Sequence, residues 1–202
     1  MKKIYLPLIF FLFLRSICDG QEVQLPQPIK DFVYSSLGLD LGKRNKRSPE
    51  GLEQFGQLVG VWEMTSHKLH QGTWYSGWTA YWAWKYALGG SVIQDYYFHP
   101  KENLPPTAAN QDFDTQGFNL RIYDSESNSW HLTWASNNGP KALYSARQEG
   151  DEIWMSPLDK DKPEHRIIFS EIRENSFKWT RKHKNEQGDW VFDFYLVGKR
   201  IL

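Results

Sequence analysis

Six side chains stand out because they are polar yet sit inside otherwise apolar runs: Gln94, Asp95, Arg121, Arg166, Ser170 and Glu171. If those runs are β-strands, one face of each points into a core. A charge there is costly unless it meets a partner or a ligand. An inward Arg121 or Arg166 can engage a carboxylate or other polar head on a bound molecule. A buried Asp95 or Glu171 can act as a general base, with Arg121 stabilising an enolate or oxyanion. That would support isomerisation, cyclisation or hydration without a cofactor. The same residues can instead be staples, with Arg121 or Arg166 paired to Asp95 or Glu171. All three readings are open at the level of sequence.

Other chemistry has little to stand on. There is no Gly-x-Ser-x-Gly elbow, no His-Glu-x-x-His, no phosphate loop and no dinucleotide fingerprint. His67 and His70 are three apart, and on one strand they face opposite sides, so they cannot share an ion unless the strand ends between them. Asp112-x-Asp114 lacks the further oxygens a calcium site needs. We therefore expect no metal and no cofactor. Formal net charge is zero, which gives a polyanion no handle and makes nucleic acid an unsuitable partner.

The elements that must position these residues are organised around Trp82 to Phe98. Two aromatic, β-branched runs flank Leu88-Gly89-Gly90, and a Gly-Gly pair tolerates the positive φ of a tight strand reversal. Upstream, Trp74, Trp78, Trp82 and Trp84 all fall on even positions, which predicts a shared face. Such a face is buried only against another sheet or inside a barrel. The chain of 202 residues carries ten Trp and 16% aromatics, a composition suited to a pleated surface.

A short helix is expected over Leu52 to Leu58. Strands follow from Val61 to Leu202, separated by turn signals such as Gly72, Asp124 to Asn128, Asn137-Asn138-Gly139-Pro140 and Asn185 to Gly188. The spacing predicts roughly ten strands in an all-β, antiparallel up-and-down barrel, which also leaves no open edge. With Trp62 inward, Met64 and Ser66 follow it inside. For Phe118 to Tyr123 two registers compete: Phe118, Leu120 and Ile122 inside, or Asn119, Arg121 and Tyr123 inside.

The first fifty residues read differently. Lys2 and Lys3 precede an apolar run from Ile4 to Leu14, so residues 1–20 read as an export signal too short to span a bilayer. Cys18 is the only cysteine, and Ile17 and Arg15 are wrong for a lipid-anchor box before it. Without it a mature chain has no disulfide and no thiol chemistry. Residues 21–50 hold Pro26, Pro28, Pro49 and Lys43-Arg44-Asn45-Lys46-Arg47, a flexible tether whose basic run has the shape of a furin-type processing site or of a plain solvated linker.

At Phe55-x-x-Leu58-x-Gly60-x-Trp62 the chain resembles the calycin superfamily, meaning lipocalins and related barrels. That resemblance implies a Trp packed at the closed end beneath a late Arg, a role Arg200 is placed to fill, although the lipocalin disulfide is missing. From Trp62 to Arg200 the chain is similar to a family of lipocalin-like domains of unknown function. The shared features are Leu88-Gly89-Gly90 with Gln94-Asp95; Leu120-Arg121-Ile122-Tyr123-Asp124; Trp130 and Trp134; Arg166 with Phe169-Ser170-Glu171-Ile172; and Ser176-Phe177-x-Trp179. The resemblance implies a barrel and brings no established activity. Heme-binding relatives carry a Gly-rich repeat where this chain has Glu63-Met64-Thr65, which speaks against heme.

Together these readings give an exported, lipocalin-like barrel over residues 51–202 holding a small lipophilic or amphipathic molecule, with no membrane span. The candidate ligand-binding residues are Trp62, Trp82, Trp84, Gln94, Arg121, Trp134, Arg166 and Trp179. Flat Trp rings supply the walls, and one Arg supplies the polar contact. The alternatives are the cofactor-independent isomerase or cyclase described above, or an interaction module that binds a partner through its outer face.

Overall fold

The computed structural model describes Gln27 and residues 40–103, 114–159 and 164–202. The export signal over residues 1–20 with Cys18, the tether up to residue 39 apart from Gln27, and Asp112 lie outside the described residues. Among the described residues, no helix is long and apolar enough to cross a membrane.

Ten antiparallel strands form one closed barrel: β1 (Gly60–His70), β2 (Thr73–Ala87), β3 (Val92–His99), β4 (Thr115–Asp124), β5 (Ser129–Ser136), β6 (Gly139–Glu149), β7 (Glu152–Pro157), β8 (His165–Ser170), β9 (Ser176–Lys184) and β10 (Trp190–Arg200). Each strand pairs with its neighbours in sequence, and β10 closes onto β1 with Trp62 opposite Arg200 and Met64 opposite Gly198. This is the up-and-down barrel expected from the turn spacing. The Leu88-Gly89-Gly90 reversal carries positive φ at all three residues (48°, 65° and 85°), which is why glycine occupies two of them.

One end of the barrel is plugged. A 3-10 turn (Glu50–Leu52) and the single-turn helix α1 (Glu53–Gly56) bury Leu52, Phe55 and Leu58 to 1% exposure or less. The Phe55 ring meets Trp130 edge-on at 4.9 Å and Phe169 edge-on at 5.4 Å, and stacks on Trp84 at 5.9 Å. Full burial of a ring of this size is worth roughly 1.5–3 kcal/mol. Gln54 Oε1 accepts from Trp130 Nε1 (2.8 Å), which ties the plug to β5.

Gly60-x-Trp62 has a local reason. Trp62 is fully buried, donates from Nε1 to Leu58 O (2.7 Å) and lies 4.1 Å beneath the Arg200 guanidinium. Arg200 donates to the carbonyls of Glu174 (2.6 Å), Val59 (2.5 Å) and Gln57 (2.9 Å), binding the last strand to the plug. A Cβ on Gly60 would stand 2.1 Å from Arg200 Nη1, and its φ of 143° also favours glycine. The late Arg thus occupies the role the calycin resemblance implied.

One local expectation needs correction, and one open choice is decided. Trp78, Trp82 and Trp84 share the inner face, but Trp74 does not. The register against β1 slips between Thr65/Thr79 and His67/Ser76, an extra residue on the β2 side next to Gly77. The bulge turns Trp74 outward, where it is 39% exposed and lies 4.9 Å from Tyr195 and 5.6 Å from Phe192. Of the two registers left open for β4, the polar one is inside. Asn119 and Arg121 are buried, while Phe118 and Ile122 are 40% and 46% exposed.

Residues 40–49, assigned to the tether by sequence, lie along the β2–β3 hairpin. Tyr86 N donates to Leu41 O (2.8 Å), Asn45 N to Gly90 O (2.9 Å) and Ser48 Oγ to Gly90 O (3.1 Å). Within the basic run, Arg44 is tied to Glu53 at 2.6 Å while Lys46 and Arg47 are exposed.

Candidate functional site

The plugged half of the barrel is filled; the other half is not. A cavity of about 410 Å³ opens between Trp82, Arg121 and Phe169 at its floor and Trp134, His165 and Arg181 towards the unplugged end. Its walls are rings. Trp82 meets Tyr97 edge-on at 6.0 Å, Tyr97 meets Trp134 at 6.2 Å, Trp179 meets Phe194 at 6.0 Å, and Trp78 leans on Phe194 at 5.7 Å. Period-two alternation sets the wall residues: Tyr97 on β3, Asn119 and Arg121 on β4, Ile167 and Phe169 on β8, Trp179 and Arg181 on β9. Trp134 depends on a notch. A Cβ on Gly117 would stand 2.2 Å from its ring, so only glycine leaves the ring room.

The floor is an ion pair. Arg121 Nε donates to Asp95 Oδ2 at 2.6 Å, and the two side chains are 1% and 0% exposed. Asp95 Oδ1 accepts from Trp82 Nε1 (2.6 Å) and Asn119 Nδ2 (2.8 Å). The guanidinium lies 4.4 Å from the Phe55 ring centre and 4.4 Å from that of Trp84, with Nη1 3.6 Å from the Met155 sulfur. Burial pulls the Arg121 guanidinium below its ordinary range, and the Asp95 carboxylate opposes that pull. This pair is the staple arrangement weighed above. Its charges cancel locally, so the floor is polar in geometry but close to neutral. The indole N–H of Trp84 is buried without a hydrogen-bond partner among the described residues.

The candidate residues divide. Trp82, Arg121, Trp134 and Trp179 line the cavity. Trp62 and Trp84 are fully buried within the plugged half. Gln94 turns outward between the buried Ile93 and Asp95. Arg166 also faces outward, 4.3 Å from the Trp190 ring centre and 5.4 Å from that of Trp154. Glu171, the second carboxylate considered as a base, has a side chain 71% exposed, 3.6 Å from Lys178 Nζ. Among the described residues Asp95 is the one buried carboxylate.

Sequence reasoning missed Tyr97, Tyr144, His165, Arg181 and Phe194. Tyr97 and Arg181 were within reach of the period-two rule, each lying two residues beyond one already singled out. Tyr97 is partly buried, and burial raises its phenol above the ordinary range. Tyr144 is raised by burial too, with the nearby Arg181 charge acting in the opposite direction. Tyr144 Oη and His165 Nε2 stand 3.5 Å apart at the rim. A second depression of about 330 Å³ adjoins the mouth and shares Trp134, Tyr144 and His165 with it, adding Asp159.

No protein-family model matches this chain, and no curated protein does. Among solved structures the chain is similar to Rv2717c from M. tuberculosis, with 9% identity and a TM-score of 0.48 over 76% of this chain and 98% of that one. It is also similar to the S-type phycobiliprotein lyase CPES from Guillardia theta, with 11% identity and a TM-score of 0.48 over 73% of this chain and 90% of that one.

Proposed function

We propose that this chain is an exported barrel that holds a small lipophilic or amphipathic molecule in its interior. The observation that carries this is the contrast between the two halves of one core. The plugged half packs Phe55, Trp62 and Trp130 to zero exposure, while the other leaves about 410 Å³ between aromatic rings. Protein interiors close-pack wherever shape alone decides. A space of this size, apolar with a few placed polar groups, matches the usual form of a small-molecule site. Trp82, Trp134 and Trp179 supply flat walls, with Arg121 and Asn119 at the floor. Export rests on Lys2, Lys3 and the apolar run from Ile4 to Leu14.

The isomerase or cyclase alternative gains no observation. Its buried carboxylate, Asp95, already accepts from Trp82, Asn119 and Arg121.

The test is direct. The purified protein is examined by native mass spectrometry for a co-purified molecule and titrated with the neutral fluorophore N-phenyl-1-naphthylamine. We expect saturable uptake at one site, weakened by Trp134→Ala. A chain that carries nothing and takes up no probe overturns the reading.

A further inference from the structure

Resting on the binding reading above, we infer that the ligand is an apolar acid, with its ring or alkyl body among the Trp rings and its anionic head at Arg181 rather than Arg121. The argument is one of charge. Among the described residues the cavity lining contains two arginines, Arg121 and Arg181, and no carboxylate. The first is neutralised where it stands, by Asp95 at 2.6 Å. An incoming carboxylate at the floor would have to share a guanidinium already spent on a buried partner, and would approach Asp95 itself.

Arg181 is different. It sits on β9 opposite Ile167 and two residues beyond Trp179, so its side chain is turned to the cavity at the unplugged end. It is exposed, and no ion pair to it exists among the described residues. Of the acids flanking it, Glu164, just before β8, is engaged by Lys184 at 2.7 Å, and Asp193, beside Phe194 on β10, makes no ion pair with Arg181. Asp159 borders the second depression beside His165, not the aromatic cavity. An exposed guanidinium at the rim is a ready fork for a carboxylate or sulfonate, and Tyr144 Oη beside it adds a hydroxyl. A cationic ligand fits poorly. Aromatic walls alone would accept one, but here they are capped by an arginine that has no ion-paired acid among the described residues.

Two probes sharing one arene separate the terms. They are 1-anilinonaphthalene-8-sulfonate, an anion, and N-phenyl-1-naphthylamine, the same skeleton without the charge. Both are titrated by fluorescence into the full chain, into Arg181→Gln and Arg181→Lys, and into Lys182→Gln, which removes a charge from the outward-facing neighbour. In the parent chain the anion should bind more tightly than the neutral probe. Arg181→Gln should lower anion affinity about tenfold, the scale of one charge-assisted contact, and leave the neutral probe unchanged. Arg181→Lys should fall between, and Lys182→Gln should change neither.

Equal anion affinity in Arg181→Gln and the parent overturns the acid inference, as does an equal loss in Lys182→Gln, which would mark general surface charge. Either of these outcomes leaves the binding reading standing as long as the neutral probe still binds. If neither probe binds the parent chain, both fall. Arg181 is exposed, so its variants should keep the parent urea midpoint, which confirms that any loss is local.

Discussion

Replacing Arg121 by Met tests whether the floor pair holds the barrel together. The substitution keeps a long unbranched chain between Phe55 and Trp84 but removes the charge 2.6 Å from a carboxylate that is 0% exposed. Asp95 keeps Trp82 and Asn119 as donors and loses its only cation. Breaking a buried pair from one side typically costs about 3–5 kcal/mol. That is a large part of the 5–15 kcal/mol that holds a domain of this kind. Loss of the two close guanidinium–ring contacts acts in the same direction. Asp95→Asn should also destabilise, leaving a buried guanidinium unpaired. The double variant should recover much of the loss, because neither charge then remains. A coupling of at least about 2 kcal/mol is expected from the double-mutant cycle. Urea unfolding followed by Trp fluorescence measures it, with the slope of ΔG on urea checked for constancy. If Arg121→Met costs under about 1 kcal/mol at unchanged slope, the pair is no staple.

Other outcomes follow from single features. Gly117→Val should push the Trp134 ring out of its notch and change uptake of the neutral probe several-fold; a Cβ there would stand 2.2 Å from the ring, and an unchanged affinity would show that the wall tolerates it. Gly90→Ala puts a Cβ 2.1 Å from Lys43 O at a φ of +85°, so it should cost about 1–3 kcal/mol and free residues 40–48. Limited trypsin digestion should then cut after Lys46 or Arg47 faster than in the parent, and equal rates would count against that seat. Tyr86 is pushed up to about 12, first by burial and then by Glu53. The folded state therefore holds that proton more tightly than the unfolded chain, whose tyrosine titrates near ~10. Its contribution is intact below about pH 10 and lost as pH rises towards 12. Tyr86→Phe should flatten that part of the alkaline fall in urea midpoint; an identical fall would refute the assignment. Arg200→Lys keeps the charge but cannot reach three carbonyls in one plane, and should cost about 1–3 kcal/mol in thermal or urea unfolding.

Strand count, strand order and closure were legible because turn residues punctuate the chain and aromatic runs alternate between them. Alternation failed where the backbone departs from it. A bulge beside Gly77 carries Trp74 to the outside, and no residue type announces an inserted residue when Gly also marks turns. On β4 the usual rule inverts. Phe118 and Ile122 face out so that Asn119 and Arg121 can reach Asp95, and polarity alone could not choose that register. The division of the Trp residues was illegible for another reason. Trp62, Trp84, Trp82 and Trp134 look alike in sequence, and what separates core from cavity wall is how far the Phe55 plug reaches down the axis. Arg166 and Gln94 sit in apolar runs as Arg121 does, yet fall on the outward parity, where the Arg166 guanidinium lies over the Trp190 ring.

The latch formed by Arg200 has a consequence for synthesis. Its bond to Val59 spans 141 residues, and the seam between β1 and β10 is made from the earliest and the latest strands. A ribosome must therefore release β10 before the ring can shut, and until then β1 waits with one side unpaired. A polypeptide that cannot lock prematurely shifts the burden of guarding that open edge onto whatever meets it during synthesis.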